Sequence, residues 1–317
     1  MTELTYTLLA DVGGTHTRCA VANEAGVREV VVFDNKHFES LESVLRDYVA
    51  RQKERHGSVD EVILGVAGPV TGDHVALLNL DWSFSASDIS RAVDARQTRL
   101  VNDFEALAYS LASLPAAELS QCGGRTPSPY ATKVVLGPGT GLGVSSAVWT
   151  GSRWLALPGE GGHVSLAATN EREVELCRYL RHRFGHASAE RALSGAGLSN
   201  IHHFVTGDTL EPVDISKLAT SRDKGASESF GLFFALLGSV ASNLALTLGA
   251  AGGVYVAGGV AKKNMALLNE DRFRRRFENK GRYSNYLARI PVYWIKSETP
   301  ALAGLYYLRH HAQIEAP

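Results

Sequence analysis

Cysteine is scarce in this chain: Cys19, Cys122 and Cys177 are the only three in 317 residues. They stand far apart, which excludes a C-x-x-C zinc site, and their odd number points to a reducing compartment. Neither sign of charge prevails. Lys and Arg number 32 against 33 Asp and Glu, for a net charge of −1. That excludes a general attraction to nucleic acid or to an anionic membrane. No G-x-x-x-x-G-K-[ST] segment occurs, so a P-loop is excluded. In LGPGTGLG (136–143) the third glycine of a dinucleotide fingerprint would fall on Leu142 or Val144, so that reading fails as well. The opening MTELTYTLLADVGG lacks a basic segment followed by an apolar stretch and a cleavage site, which predicts no signal peptide.

Long uninterrupted apolar runs are also missing. Residues 229–261 carry no charge, but Ser239, Ser242, Asn243 and Thr247 interrupt the run and Gly249, Gly252 and Gly253 break it. A membrane span needs about 20 predominantly apolar residues. The expectation here is instead a buried helix over 229–248, a glycine turn and a buried strand over 254–257. With 45% hydrophobic and 21% charged residues, the composition is that of an ordinary globular protein, long enough for two cores.

What the sequence does have is two Gly/Thr loops, DVGGTHTR (11–18) and LGPGTGLG (136–143). Each lies between two apolar runs, the pattern of a β-hairpin with a glycine turn. Glycines let the backbone approach a bulky anion, and the bare N–H groups of such a turn form an anion-binding nest. Thr15 and Thr140 add hydroxyl donors. Either these are two tight turns without a ligand, or they grip a polyphosphate from two sides.

The coarse pattern is α/β. Strands are predicted over 5–11, 17–23 and 28–34, then an amphipathic helix over 41–56 with Leu41, Val44, Leu45, Tyr48 and Val49 on one face. A strand over 61–66 runs into the turn Ala67-Gly68-Pro69. A short helix over 87–93 has Ser87 as its N-cap. A strand over 98–101 enters Asn102-Asp103, with a helix from Phe104. Residues 119–132 read as a loop and linker. The second half has hairpin strands over 133–136 and 144–149, helices, and strands over 254–257 and 292–295. Two halves that each open with a Gly/Thr hairpin suggest an ancient duplication, without a repeat of fixed period.

Three polar clusters carry chemistry. Asn102-Asp103 follows a buried strand, where α/β folds place ligands. Asp103 is either a helix N-cap or a general base for a substrate hydroxyl, with Asn102 holding a neighbouring hydroxyl. In LPGEGGHVSL (157–166), Glu160 and His163 stand three apart among glycines. No third ligand at a metal spacing is nearby, so a polyol clamp suits them better than a metal. Glu190 in HASAERALSG is either another clamp residue or an acid in the first turn of a helix. Trp82 lies either at a cleft edge or in the packing.

With these residues in place the sequence resembles the bacterial glucokinases of the hexokinase–actin superfamily, of the zinc-free, non-repressor type. DVGGTHTR, AGPVTGD, LVNDFEAL, GPGTGLG, LPGEGGH, HASAERALSG, NLALTLGAAGGVYVAGG and FENKGR follow in the family's order along nearly the whole chain. The resemblance implies a two-domain actin/hexokinase-like (ribonuclease H-like) α/β fold with mixed sheets and an interdomain cleft. The small domain would span 1–110, completed by a C-terminal helix within 301–317, and the large domain 111–300. Asp103 would be the catalytic base. Asn102, Glu160, His163 and Glu190 would bind the sugar. Asp11 would position Mg²⁺. Gly13, Gly14 and Thr15 would form the first phosphate loop, Gly139, Thr140 and Gly141 the second, and Gly258 and Gly259 would meet the adenosine. The implied activity is ATP-dependent phosphorylation of glucose at its 6-hydroxyl, in a cytoplasmic homodimer with neither nucleic-acid nor membrane partners.

The chain departs from the family at His16, where Asn is usual, and at Pro138, which has no N–H to donate. No Cys occurs in 164–170, where the zinc-bearing relatives carry theirs. Two rival readings remain: a kinase of another hexose or hexosamine, and a non-catalytic sugar sensor. Polyphosphate is an alternative donor. A sensor of the repressor type would need a DNA-binding helix-turn-helix, and the first predicted strand begins within a few residues of Met1.

Overall fold

The computed structural model describes residues 5–68, 70, 72–77 and 80–311. Pro69 and Thr71, which fall in AGPVTGD, lie outside that set, as does the end of the expected C-terminal helix from residue 312 on. The chain divides into two compact units. The first comprises Met1–Leu114, Thr150–Ala156 and Ser297–Pro317, and the second Pro115–Trp149 and Leu157–Lys296.

In the first unit the apolar runs form β1 (Thr5–Val12), β2 (His16–Asn23) and β3 (Gly26–Asp34). The helix α1 (Leu41–His56) leads to β4 (Ser58–Val66). A small hairpin, β5 (His74–Ala76) and β6 (Ser83–Ser85), precedes α2 (Ala86–Val93), β7 (Gln97–Asn102) and α3 (Asp103–Ser110). The main sheet has five strands in the order β3-β2-β1-β4-β7. The β1–β2 and β2–β3 pairs are antiparallel, and β4 runs parallel to both β1 and β7. Strands β1 and β4 are almost wholly buried, as expected of strands covered on both faces. Helix α1 buries Leu41, Val44, Leu45 and Tyr48, the face its periodicity predicts. The C-terminal helix Pro300–His311 lies against α3 so closely that a Cβ on Gly304 would sit 1.7 Å from the Ala106 carbonyl oxygen. Trp82 is buried in this unit's core, which decides for packing.

The second unit has β8 (Leu119–Cys122), β9 (Lys133–Pro138), β10 (Leu142–Trp149), the second half of β11 (Trp154–Gly159), β12 (Val254–Val256) and β13 (Val292–Ile295). They form a six-stranded sheet in the order β11-β10-β9-β12-β13-β8. Its helices include α4 (Glu171–Phe184), α5 (Gly195–Thr206), α6 (Pro212–Thr220), α7 (Lys224–Leu248), α8 (Gly259–Lys263) and α9 (Glu270–Glu278). Helix α7 is long and apolar enough to cross a membrane by composition, but 67% of its apolar window is buried inside the protein. Phe230, Phe233, Leu236 and Leu237 place it at the centre of this unit's core. A buried ion pair braces the same region: Arg276 Nη2 lies 2.6 Å from Oε2 of Glu173, which also accepts from the Thr169 N–H and hydroxyl.

Four local expectations change. Residues 119–122 form β8 rather than loop, because LSQC gains its ladder partner from β13, far away in sequence. Ser85, not Ser87, caps α2, because its hydroxyl accepts from the Asp88 N–H while the Asp88 carboxylate accepts in return from the Ser85 N–H. Helix α7 begins at Lys224 rather than 229, where Asp223 accepts from the Ala226 N–H and supplies the cap. Asn102, not Asp103, caps α3.

Candidate functional site

In the first unit the turn between β1 and β2 is closed by Gly13 N–H donating to the His16 carbonyl at 3.0 Å. Asn35, 1% exposed, staples the turn from a distant segment. Its amide Nδ2 donates to the Gly13 carbonyl at 2.8 Å, and its Oδ1 accepts from the Thr17 hydroxyl at 2.8 Å. Its own N–H donates to the Thr15 carbonyl at 2.9 Å. With the turn's carbonyls engaged, the Gly14 and Thr15 N–H groups and the Thr15 hydroxyl have no hydrogen-bond partner among the described residues. Bare N–H groups in such a turn are donors suited to an anion. Asp11, just before it, pairs across the hairpin with Arg18, with 3.2 Å between Oδ2 and Nη1. Burial pushes the Asp11 carboxyl up from its ordinary range, and the Arg18 charge partly opposes that.

At the end of β7, the Asn102 carboxamide oxygen accepts from the N–H groups of Phe104 at 2.9 Å and Glu105 at 3.3 Å. Its Nδ2 donates to the Gly68 carbonyl at 3.1 Å. Asp103 is the first residue of α3, half-buried, and its Oδ1 accepts from the Phe104 N–H at 3.0 Å. Glu105, one turn in, is a carboxyl pushed up by burial that the sequence did not single out.

In the second unit the β9–β10 turn has the same character. Gly139 N–H donates to the Gly141 carbonyl at 2.8 Å, and the Gly195 N–H donates to the Gly139 carbonyl at 2.8 Å. The N–H groups of Thr140 and Gly141 have no partner among the described residues. Glu160 precedes and His163 ends a short 3-10 turn, Gly161–His163, with 3.8 Å between Oε2 and Nε2 and both side chains exposed. The turn's glycines are sterically required: a Cβ on Gly162 would lie 2.0 Å from the Leu142 carbonyl oxygen. Glu190 sits in a turn before α5 rather than in a helix, which removes the first-turn reading. Its N–H donates to the Gly162 carbonyl at 2.9 Å, and its Oε2 accepts from the Leu142 N–H at 2.9 Å. Glu160, His163, Glu190 and the second loop are therefore brought together.

Gly258 caps α8 at φ 88°, a left-handed backbone that favours glycine, and a Cβ there would lie 2.3 Å from the Pro138 carbonyl oxygen. Beside it a cavity of about 660 Å³ is lined by Gly139, Thr140, Gly195 and Gly259, with Pro212, Val213 and Val260 as apolar walls and Lys263 among its polar residues. Its apolar wall and Lys263 come from segments that showed no motif in the sequence. Among the described residues no group of three or more His, Cys, Asp or Glu could hold a metal ion. A phosphate-bound Mg²⁺ needs only one or two protein carboxylates, and Asp11, beside the first glycine turn, is a carboxylate of that kind.

The sequence profile described as Glucokinase matches residues 8–312. A glucokinase of Chromobacterium violaceum is 46% identical over 306 residues, covering 94% of this chain and 87% of that one. Among solved structures, a glucokinase from an Antarctic psychrotroph superposes with a TM-score of 0.87 at 30% identity, covering 97% of this chain and 99% of that one. A ROK-family glucokinase from Streptomyces griseus, solved with glucose and AMPPNP, reaches a TM-score of 0.66 at 20% identity, covering 96% and 98%, a likeness of fold.

Proposed function

The chain belongs to the glucokinase family, and from that premise we propose that it transfers the γ-phosphoryl group of ATP to the 6-hydroxyl of glucose. One observation carries this reading: Glu190, tied through the Gly162 carbonyl to the turn that carries Glu160 and His163, is fastened to the Leu142 N–H at the end of a glycine loop with bare N–H groups. An acceptor for a polyol and a cradle for phosphate thus share one scaffold. The cavity beside that loop has the apolar walls and the size for a nucleoside.

The roles follow from what each group can do. Asp103 takes the proton from the 6-hydroxyl as its oxygen bonds to the γ-phosphorus and the bond to ADP breaks. Asn102 fixes the start of α3, and with it Asp103, through its three hydrogen bonds to the backbone; one amide proton is left over for a sugar oxygen. The Gly13–Thr15 and Gly139–Gly141 turns hold the phosphates through backbone N–H groups. Gly258 and Gly259 shape the nucleoside end. Asp11 is the residue to position Mg²⁺, which when bound neutralises charge on the transferring phosphates. A soluble cytoplasmic enzyme and a homodimer complete the reading; the burial of α7 within its unit supports a soluble chain over one that α7 anchors in a membrane.

A coupled assay of ATP-dependent phosphorylation over glucose, fructose, mannose and N-acetylglucosamine tests the proposal. Glucose should give the highest kcat/KM. Preference for another sugar would replace glucose as substrate, and no transfer to any sugar would favour a sensor.

A further inference from the structure

Glu190 is held at three points. Its N–H is bound to the Gly162 carbonyl at 2.9 Å, in the turn between Glu160 and His163. Its carbonyl accepts from the Ser194 hydroxyl at 2.9 Å, at the cap of α5. Its Oε2 takes the Leu142 N–H at 2.9 Å, at the end of the second glycine loop. Contact with that loop is close enough that a Cβ on Gly141 would lie 2.5 Å from Oε2. The absence of a side chain at Gly141 is therefore what lets the carboxylate reach its position.

We propose that Glu190 couples the two ligands, a role beyond sugar contact that rests on the assignments above. In this role Oε2 fastens the phosphate loop, and Oε1 is the oxygen left to accept from a sugar hydroxyl. A carboxylate against a loop that cradles phosphate repels the incoming nucleotide. A hydroxyl donated to Oε1 draws that charge toward the sugar and fixes the carboxylate on Leu142. Glucose then raises nucleotide affinity, and by linkage the nucleotide raises glucose affinity by the same factor. Gly141 becomes a determinant of sugar affinity although it belongs to the phosphate loop.

Calorimetric titration of the full chain with AMPPNP, with and without saturating glucose, and with glucose in the converse order, tests this. In the wild type each ligand should tighten the other by about fivefold or more. Gly141 is not among the glycines with a left-handed backbone, and its added methyl meets only the far end of a flexible side chain, so Gly141→Ala keeps the fold while displacing the carboxylate. It should weaken glucose binding by about tenfold, the worth of a charged hydrogen bond, and bring the coupling factor toward one. Glu190→Gln keeps an acceptor for Leu142 N–H without the charge, so AMPPNP alone should bind more tightly and the coupling should shrink. Wild-type glucose affinity or coupling in Gly141→Ala, or full coupling in Glu190→Gln, would overturn the proposal while leaving glucose as substrate. Failure of the wild type to bind glucose at all would overturn the functional reading and the coupling with it.

Discussion

Replacing Asn35 by Ala should unfasten the first glycine turn. The side chain is 1% exposed and makes two hydrogen bonds, a part-buried one to the Gly13 carbonyl and a buried one from the Thr17 hydroxyl, both at 2.8 Å. Thr17 is fully buried, so its hydroxyl cannot turn to water. Leaving a buried polar group without its partner costs about 1–3 kcal/mol, so the pair together should cost roughly 2–5 kcal/mol. The Asn35 N–H bond to Thr15 survives in the variant, which keeps the estimate toward the lower half. With a urea slope of about 1–3 kcal/mol/M, the unfolding midpoint of the first unit should fall by about 1–2 M. Thr17→Val removes one of the two bonds while keeping shape, and should lose about half as much. The same variants should raise the KM for ATP more than that for glucose, because the turn presents the Gly14 and Thr15 N–H groups. A midpoint unchanged in Asn35→Ala, with an unchanged KM for ATP, would refute the claim that Asn35 holds the turn.

Three further outcomes are expected. Asp103→Ala should lower kcat by about 10²–10⁴-fold with the fold intact by circular dichroism, the usual worth of a positioned base; retention of more than a tenth of wild-type kcat would leave Asp103 a structural residue only. Glu173→Ala strands the Arg276 guanidinium and should cost about 3–5 kcal/mol in the second unit, read from urea unfolding, with Arg276→Met on top of it recovering part of the loss; a loss below 1 kcal/mol contradicts the buried pair. EDTA should abolish activity and excess Mg²⁺ restore it, whereas a zinc-selective chelator used with Mg²⁺ in excess should change nothing.

The two glycine hairpins were legible because apolar runs flank each turn, and α1 because its buried face recurs at helical spacing. Helix α7 could be told from a membrane span by its interrupting Ser, Asn and Thr residues, though its charged first turn, Lys224 after the Asp223 cap, hid its start. Strand β8 was illegible because four half-polar residues owe their extended state to β13 rather than to local pattern. Capping was misread by small offsets at α2 and α3, since Ser85 and Ser87, or Asn102 and Asp103, are equally good cap chemistries side by side. The motif residues of the second unit do gather, but the sequence could not say that Glu190 meets Leu142, 48 positions away, or that Asn35 reaches Gly13. Such contacts are set by tertiary packing. A buried Asn beyond the end of β3 leaves one usable signal, a polar residue just past an apolar strand.

The central claim is phosphoryl transfer from ATP to glucose, and the product is its most direct test. Incubation of the purified chain with glucose, ATP and Mg²⁺, followed by phosphorus NMR, should show glucose 6-phosphate accumulating in equal amount with ADP. ADP without a sugar phosphate, or no ADP at all, would contradict the account.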